Sequence, residues 1–141
     1  MAISTEPLIA LSVPGTPVPK ARPRLARAHG RHYTPRPTVQ AEDKIRVAAR
    51  NAWMGRHTRP VKDPVALEVV FWLPNKRRVD LDNLVKLVTD AMNGEIYADD
   101  SQIWSLEARK AFSAVDPRTE ITIHRLSGGH VEVEGVTPTA H

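Results

Sequence analysis

The sequence contains no cysteine, which excludes disulfides, thiolate zinc sites and cysteine nucleophiles. No apolar run is long enough to span a membrane. The opening Met1-Ala2-Ile3-Ser4-Thr5-Glu6-Pro7 lacks a basic region ahead of an apolar one, so no signal peptide is expected. Aromatic residues make up only 5% of the chain. Trp53, Phe71, Trp72 and Trp104 fall on predicted helix or strand positions, and most are assigned to the core or an interface. Acidic residues are absent between Lys20 and Arg36, a stretch that holds six cations: Lys20, Arg22, Arg24, Arg27, Arg31 and Arg36. That segment carries more positive charge than the whole chain, whose net charge is +4. A stripe of this kind favours a polyanion, most plausibly nucleic acid.

At 141 residues the chain fits one domain with a single hydrophobic core. Residues 8–13 read as a strand closed by Pro14-Gly15. Between Thr16 and Pro37 stand Pro17, Pro19, Pro23, Pro35 and Pro37, a density that forbids a regular helix, so the segment is expected to be an extended basic loop or arm. Thr38 is a candidate cap for an amphipathic helix that ends at Gly55. Residues 64–73 form a strong strand pattern. A helix is predicted from Asp82 to Met92, stopped by Asn93-Gly94. Residues 103–112 and 118–126 read as two closing strands around an Asp116-Pro117 turn. The reading is an α+β (mixed α/β) fold, a single compact domain over residues 1–126 with an approximately four-stranded mixed sheet and two main helices. Residues 127–141 lack a core pattern and are expected to be a loose tail.

The densest chemistry lies in Asp80-Leu81-Asp82-Asn83-Leu84-Val85-Lys86, then Asp90, then Asp99-Asp100, with Lys76-Arg77-Arg78 just upstream. Carboxylates bind hard metal ions and cations bind phosphate, so the combination points to metal-assisted chemistry on a phosphodiester. At a loop-to-helix entry, Asp80 and Asp82 can converge. Asp82, Lys86 and Asp90 are spaced by four and share a helix face. The loop bearing Asp99 and Asp100 could fold back towards the helix start. A plainer account also fits these residues: aspartates cap helix N-termini, and Lys86 with Asp82 or Asp90 makes a helix ion pair worth a few tenths of a kcal/mol. Lys20, Arg22, Arg24, Arg27, Arg31, Lys76, Arg77 and Arg78 are the candidate phosphate contacts. His29, His32 and His57 show no zinc spacing and are read as surface residues. Tyr33 is a candidate for stacking on an unpaired base.

The order Asp-Leu-Asp-Asn-Leu-x-Lys, Asp-Ala, and Asp-Asp-x-Gln-Ile resembles the RusA family of Holliday junction resolvases, here as Asp80–Lys86, Asp90-Ala91 and Asp99-Asp100-Ser101-Gln102-Ile103. The entry segment Gly15-Thr16-Pro17-Val18-Pro19-Lys20-Ala21-Arg22-Pro23-Arg24 resembles that of phage and bacterial members. The resemblance implies a homodimer that hydrolyses paired phosphodiesters in four-way DNA junctions during recombination and repair. It implies Mg²⁺ as cofactor, with Mn²⁺ as a substitute. It implies Asp80, Asp82 and Asp100 as metal-binding catalytic carboxylates, Lys86 as catalytic or phosphate-contacting lysine, and accessory positions at Asp90 and Asp99. The expected location is the cytoplasm of a bacterial or phage-infected cell, with no membrane partner. The alternatives are a non-catalytic junction-binding protein and a general Mg²⁺-dependent nuclease.

Overall fold

The computed structural model describes residues 2–3, 6–21, 24–26, 31–33, 35–55, 57 and 59–127. Its elements are β1 (Ala2–Ile3), β2 (Ile9–Pro14), β3 (Arg24–Ala26), β4 (Arg31–Tyr33), α1 (Arg36–Met54), β5 (Val65–Leu73), α2 (Leu81–Met92), a short 3-10 turn (Asp100–Gln102), β6 (Ile103–Phe112) and β7 (Arg118–Ser127). Of the expected tail, residues 127–141, Ser127 instead closes β7, and residues 128–141 lie outside the described residues.

The run Val-Ala-Leu-Glu-Val-Val-Phe-Trp-Leu of β5 is rich in β-branched and aromatic residues, which suits a central strand. It pairs antiparallel with β7 and parallel with β6. On its other edge β7 takes β2 along most of its length and β1 at its end, from Ala2↔Ser127 to Pro14↔Arg118. The result is a mixed sheet of four principal strands, extended by the two-residue β1. A parallel pair requires a crossover, and α2 supplies it between β5 and β6. The helix therefore runs back antiparallel to both strands.

Both long helices pack on one side of the sheet. Helix α1 buries Ile45, Ala49 and Trp53, spaced by four, and α2 buries Leu84, Leu87, Val88, Ala91 and Met92. These meet Val65, Leu67, Val69 and Phe71 of β5 and Ile121 and Ile123 of β7. Phe71 is buried while its neighbour Trp72 points to the opposite face, where the Arg118 guanidinium lies 4.5 Å from its ring centroid. Two buried rings find polar partners: Trp53 Nε1 donates to the Arg59 carbonyl (3.0 Å) and Tyr97 Oη to the Thr89 carbonyl (3.1 Å). His57 stacks on Trp53 at 3.9 Å, so it belongs to the packing at the end of α1. Trp104 is about half exposed and lies outside the core.

Two local expectations are corrected. Helix α1 starts at Arg36, ahead of Thr38, and Thr38 is buried in its first turn. The cause is Pro37, whose fixed φ suits a first turn and whose missing N–H costs nothing there. The basic arm is more than a loop: β3 and β4 form a small antiparallel ladder with Arg24↔Tyr33 and Ala26↔Arg31 in register. Neither strand contains proline, so each keeps the N–H groups that a ladder needs.

The α2 face carries much of the core, and Leu84 is fully buried on it. Leu84→Ala is expected to cost about 2–5 kcal/mol, measured by denaturant unfolding. A loss below about 1 kcal/mol would contradict the packing described.

Candidate active site

Helix α2 places the acidic residues, and its direction divides them into two groups. Asp80 is the N-cap residue and Asp82 lies in the first turn, where β5 has just ended. Both side chains are exposed. The Asp80 carboxylate makes no capping bond to the helix backbone. It accepts only from Asn83 Nδ2, at 3.3 Å, a long contact with a neutral donor. Among the described residues neither aspartate enters an ion pair. Capping therefore does not explain this pair. Lys76, Arg77 and Arg78 are exposed in the loop just before it. The positive end of the α2 dipole adds to that field.

Asp90, Asp99 and Asp100 belong to the other end of α2. Eight residues of helix, about 12 Å, separate Asp82 from Asp90. Burial pushes the Tyr97 hydroxyl well above its ordinary pKa, and the charges of Asp100, Asp90 and Asp99 push it further. Asp99 is spent on local structure. Its side chain accepts from the Ser101 N–H (3.1 Å) while Gln102 Oε1 accepts from the Asp99 N–H (2.9 Å), a reciprocal capping box. Hydrogen bonds from Ser101, with a further one from Asn93, hold its carboxyl below the usual range. Gln102 Nε2 also donates to the Val61 (2.8 Å) and Asp63 (3.0 Å) carbonyls, which locks the turn at the start of β5. The loop does not fold back to the helix start. Among the described residues no three His, Asp or Glu side chains form a metal-holding group.

The two carboxylates at the α2 N-terminus suit a Mg²⁺ ion nonetheless. Mg²⁺ keeps most of its water shell and needs only one or two protein carboxylates alongside substrate phosphate. Asp80 and Asp82 are hard and exposed, and among the described residues they enter no ion pair. The crossover puts Asp100 at the opposite end of α2 from that pair.

The candidate lysines behave differently from one another. Lys86 Nζ pairs with Asp90 Oδ1 at 3.1 Å and leaves Asp82, the other carboxylate on its face. Its side chain is 58% exposed, so it remains available to a ligand. Lys20 pairs with Glu42 of α1 and with Asp90 Oδ2 (3.4 Å), so it is held by carboxylates and does not stand free. Arg24 and Arg31 lie on β3 and β4, while Arg22 and Arg27 fall outside the described residues.

One further residue escaped the sequence reading. Lys110 of β6 donates through Nζ to the Val79 carbonyl at 2.8 Å. It pins the peptide immediately before Asp80, and with it the direction in which the Asp80–Asp82 pair is presented. Its signal is one of two adjacent cations, Arg109 and Lys110, in a strand pattern, and its partner is a backbone atom far away in the chain, so no local motif marks it.

Comparison with known proteins points to a family. A family model described as endodeoxyribonuclease RusA matches residues 14–124, well over half of the chain. The chain is also similar to an uncharacterised protein, YqaN, of Bacillus subtilis (strain 168), with 31% identity over 140 residues, covering 84% of this chain and 97% of that protein. Among the described residues no helix is long and apolar enough to cross a membrane.

Lys110→Met keeps most of the aliphatic stem and removes the donor. It is expected to lower stability by about 1 kcal/mol and to speed amide exchange across residues 74–82. Unchanged exchange there would contradict the pinning role.

Proposed function

The chain belongs to the RusA endodeoxyribonuclease family, and on that premise we propose that it cuts four-way DNA junctions by Mg²⁺-dependent hydrolysis centred on the N-terminal end of α2. The family supports a junction-resolving endonuclease in general. The observation that carries the finer reading is the Asp80–Asp82 pair: exposed, unneutralised and flanked by Lys76, Arg77 and Arg78.

Asp80 and Asp82 would hold the ion. When bound, Mg²⁺ supplies an activated water and relieves charge on the phosphoryl oxygens. The rest falls to the chain's own residues. Lys76, Arg77 and Arg78 bind backbone phosphates at the mouth of the site, where the α2 N-terminus also attracts anions. Lys86, one turn after Asp82 on the same face, places its ammonium on the phosphate whose charge grows as the bond breaks. Lys110 keeps the loop before Asp80 from turning away. Arg24 and Arg31, in the sequence of β3 and β4, are further candidate contacts for backbone phosphates.

The separation of Asp100 from this pair supports a homodimer as the active state. In a two-fold assembly the Asp100 end of one protomer can serve the Asp80–Asp82 end of its partner, a sharing that one chain cannot achieve. Two equivalent sites then suit a substrate with two equivalent strands to cut.

An end-labelled four-way junction, compared with a linear duplex, tests this reading. Paired nicks are expected on the junction, only with Mg²⁺ or Mn²⁺. Asp82→Asn is expected to reduce cleavage at least about a hundredfold, the scale of a lost transition-state charge contact, while junction binding persists. Equal cutting of linear duplex would favour a general nuclease. Binding without cutting by the parent protein would make the acidic pair structural. Junction affinity is expected to fall steeply with salt, and a flat dependence would remove the phosphate role of the cations.

A further inference from the structure

The cationic arm and the catalytic helix meet at Asp90. Its two oxygens have separate cations: Oδ1 takes Lys86 at 3.1 Å and Oδ2 takes Lys20 at 3.4 Å. The carboxylate cannot turn without releasing one of them. Lys20 is also fixed from two other directions. Its backbone N–H donates to the Asn83 carbonyl at 2.8 Å, in the first turn of α2, and its ammonium reaches Glu42 on α1. Residue 20 thus runs along α2 from the turn that carries Asp82 to the turn that carries Asp90. Glu42 is in turn held by Arg46 at 3.7 Å. Upstream, Lys44 donates to the Pro14 carbonyl, so the segment from Pro14 to Lys20 is strapped to the helices at both ends. Among the described residues Lys20 is the last such anchor before β3 begins at Arg24.

Stability alone is a weak reason for this network. An exposed helix pair such as Lys86–Asp90 contributes little, and less than the rotamer entropy a lysine loses when fully fixed. The ordering of Lys86 is cheaper here because Asp90 is already held by Lys20, with the Lys20, Asp90 and Glu42 side chains only 26%, 25% and 15% exposed. Burial alone would lower the Lys20 pKa, but the Glu42 and Asp90 carboxylates overcome it and keep the ammonium charged.

Resting on the reading of α2 as the catalytic helix, we infer that Asp90 is a positioning residue whose shared clamp on Lys20 and Lys86 locks the root of the DNA-binding arm to the helix and presents Lys86 to the scissile phosphate. Lys20 then acts through Asp90 and not as one more phosphate contact. A duplex gripped by the hairpin is held in fixed relation to Asp82 and Lys86.

The test is single-turnover junction cleavage by the full chain at saturating protein and Mg²⁺, with junction affinity measured in parallel. Asp90→Asn and Lys20→Gln are each expected to slow cleavage roughly ten- to a hundredfold. Affinity is expected to change by less than about threefold, so the loss appears in the turnover step. The double variant is expected to be no slower than the slower single one, because both break the same clamp. Asp90→Glu keeps the charge and is expected to recover most of the rate. Asp43→Asn removes an exposed α1 pair with Arg46 (2.7 Å) and is expected to cut like the parent, which controls for general loss of helix ion pairs. Parent-like cutting by Asp90→Asn beside an inert Asp82→Asn would overturn the clamp and leave the proposed function standing. Multiplicative losses in the double variant would make Lys20 an independent DNA contact and also overturn it. An Asp82→Asn protein that cuts like the parent would instead remove the catalytic reading on which the clamp rests.

Discussion

The parallel pairing of β5 with β6 forces the chain to return the length of the sheet between them, and α2 is that return. Its buried face, Leu84, Leu87, Val88, Ala91 and Met92, leaves no freedom in how the helix lies on the sheet. Everything chemical in the molecule is referred to this one element. The loop that leaves β5 ends at Asp80 and Asp82, and the loop that enters β6 carries Asp99 and Asp100. The two carboxylate groups are therefore opposite poles of one rigid rod. Helix α1 and the Pro14–Lys20 segment attach to the same rod from the side.

This arrangement sorts the charges by what surrounds them. At the N-terminal pole the aspartates are exposed and lack cationic partners among the described residues, while the neighbouring cations Lys76, Arg77 and Arg78 are also exposed. At the other pole two of the three carboxylates are used, Asp90 by two lysines and Asp99 by the peptide of its own turn. Unspent opposite charges held close together by a rigid scaffold are what a metal ion and a phosphate need. The paired charges around Asp90 connect that scaffold to the arm.

Much of this was legible in the sequence, for reasons that differ by element. Strands β5, β6 and β7 announced themselves through apolar runs bounded by Pro74-Asn75 and Asp116-Pro117. Helix α2 did so through its apolar period and the Asn93-Gly94 stop. The start of α1 was misplaced because two residues competed for one role: Thr38 is a good cap by type, but Pro37 can open a helix by geometry. The β3–β4 ladder was invisible because three-residue strands carry no period, and proline counts exclude helix without excluding pairing. The charge stripe marked Lys20 as a phosphate contact because counting along the chain cannot see Glu42 and Asp90, which arrive from two helices. Lys110 was missed for the complementary reason that its partner is a carbonyl and carbonyls have no sequence signature. The resemblance implied that Asp80, Asp82 and Asp100 act together, and only the direction of the crossover reveals that within one chain Asp100 sits at the opposite end of α2 from the other two.

The most direct measurement mixes two inactive proteins. Asp82→Asn and Asp100→Asn each disable one pole of the rod. If the poles of two protomers combine, a mixed dimer holds one site with both losses and one with neither. Each variant alone is expected to leave a four-way junction uncut, and the refolded mixture is expected to recover nicking at one of the two strands. A mixture as inert as its components would contradict the shared site, and so would an Asp100→Asn protein that cuts as fast as the parent.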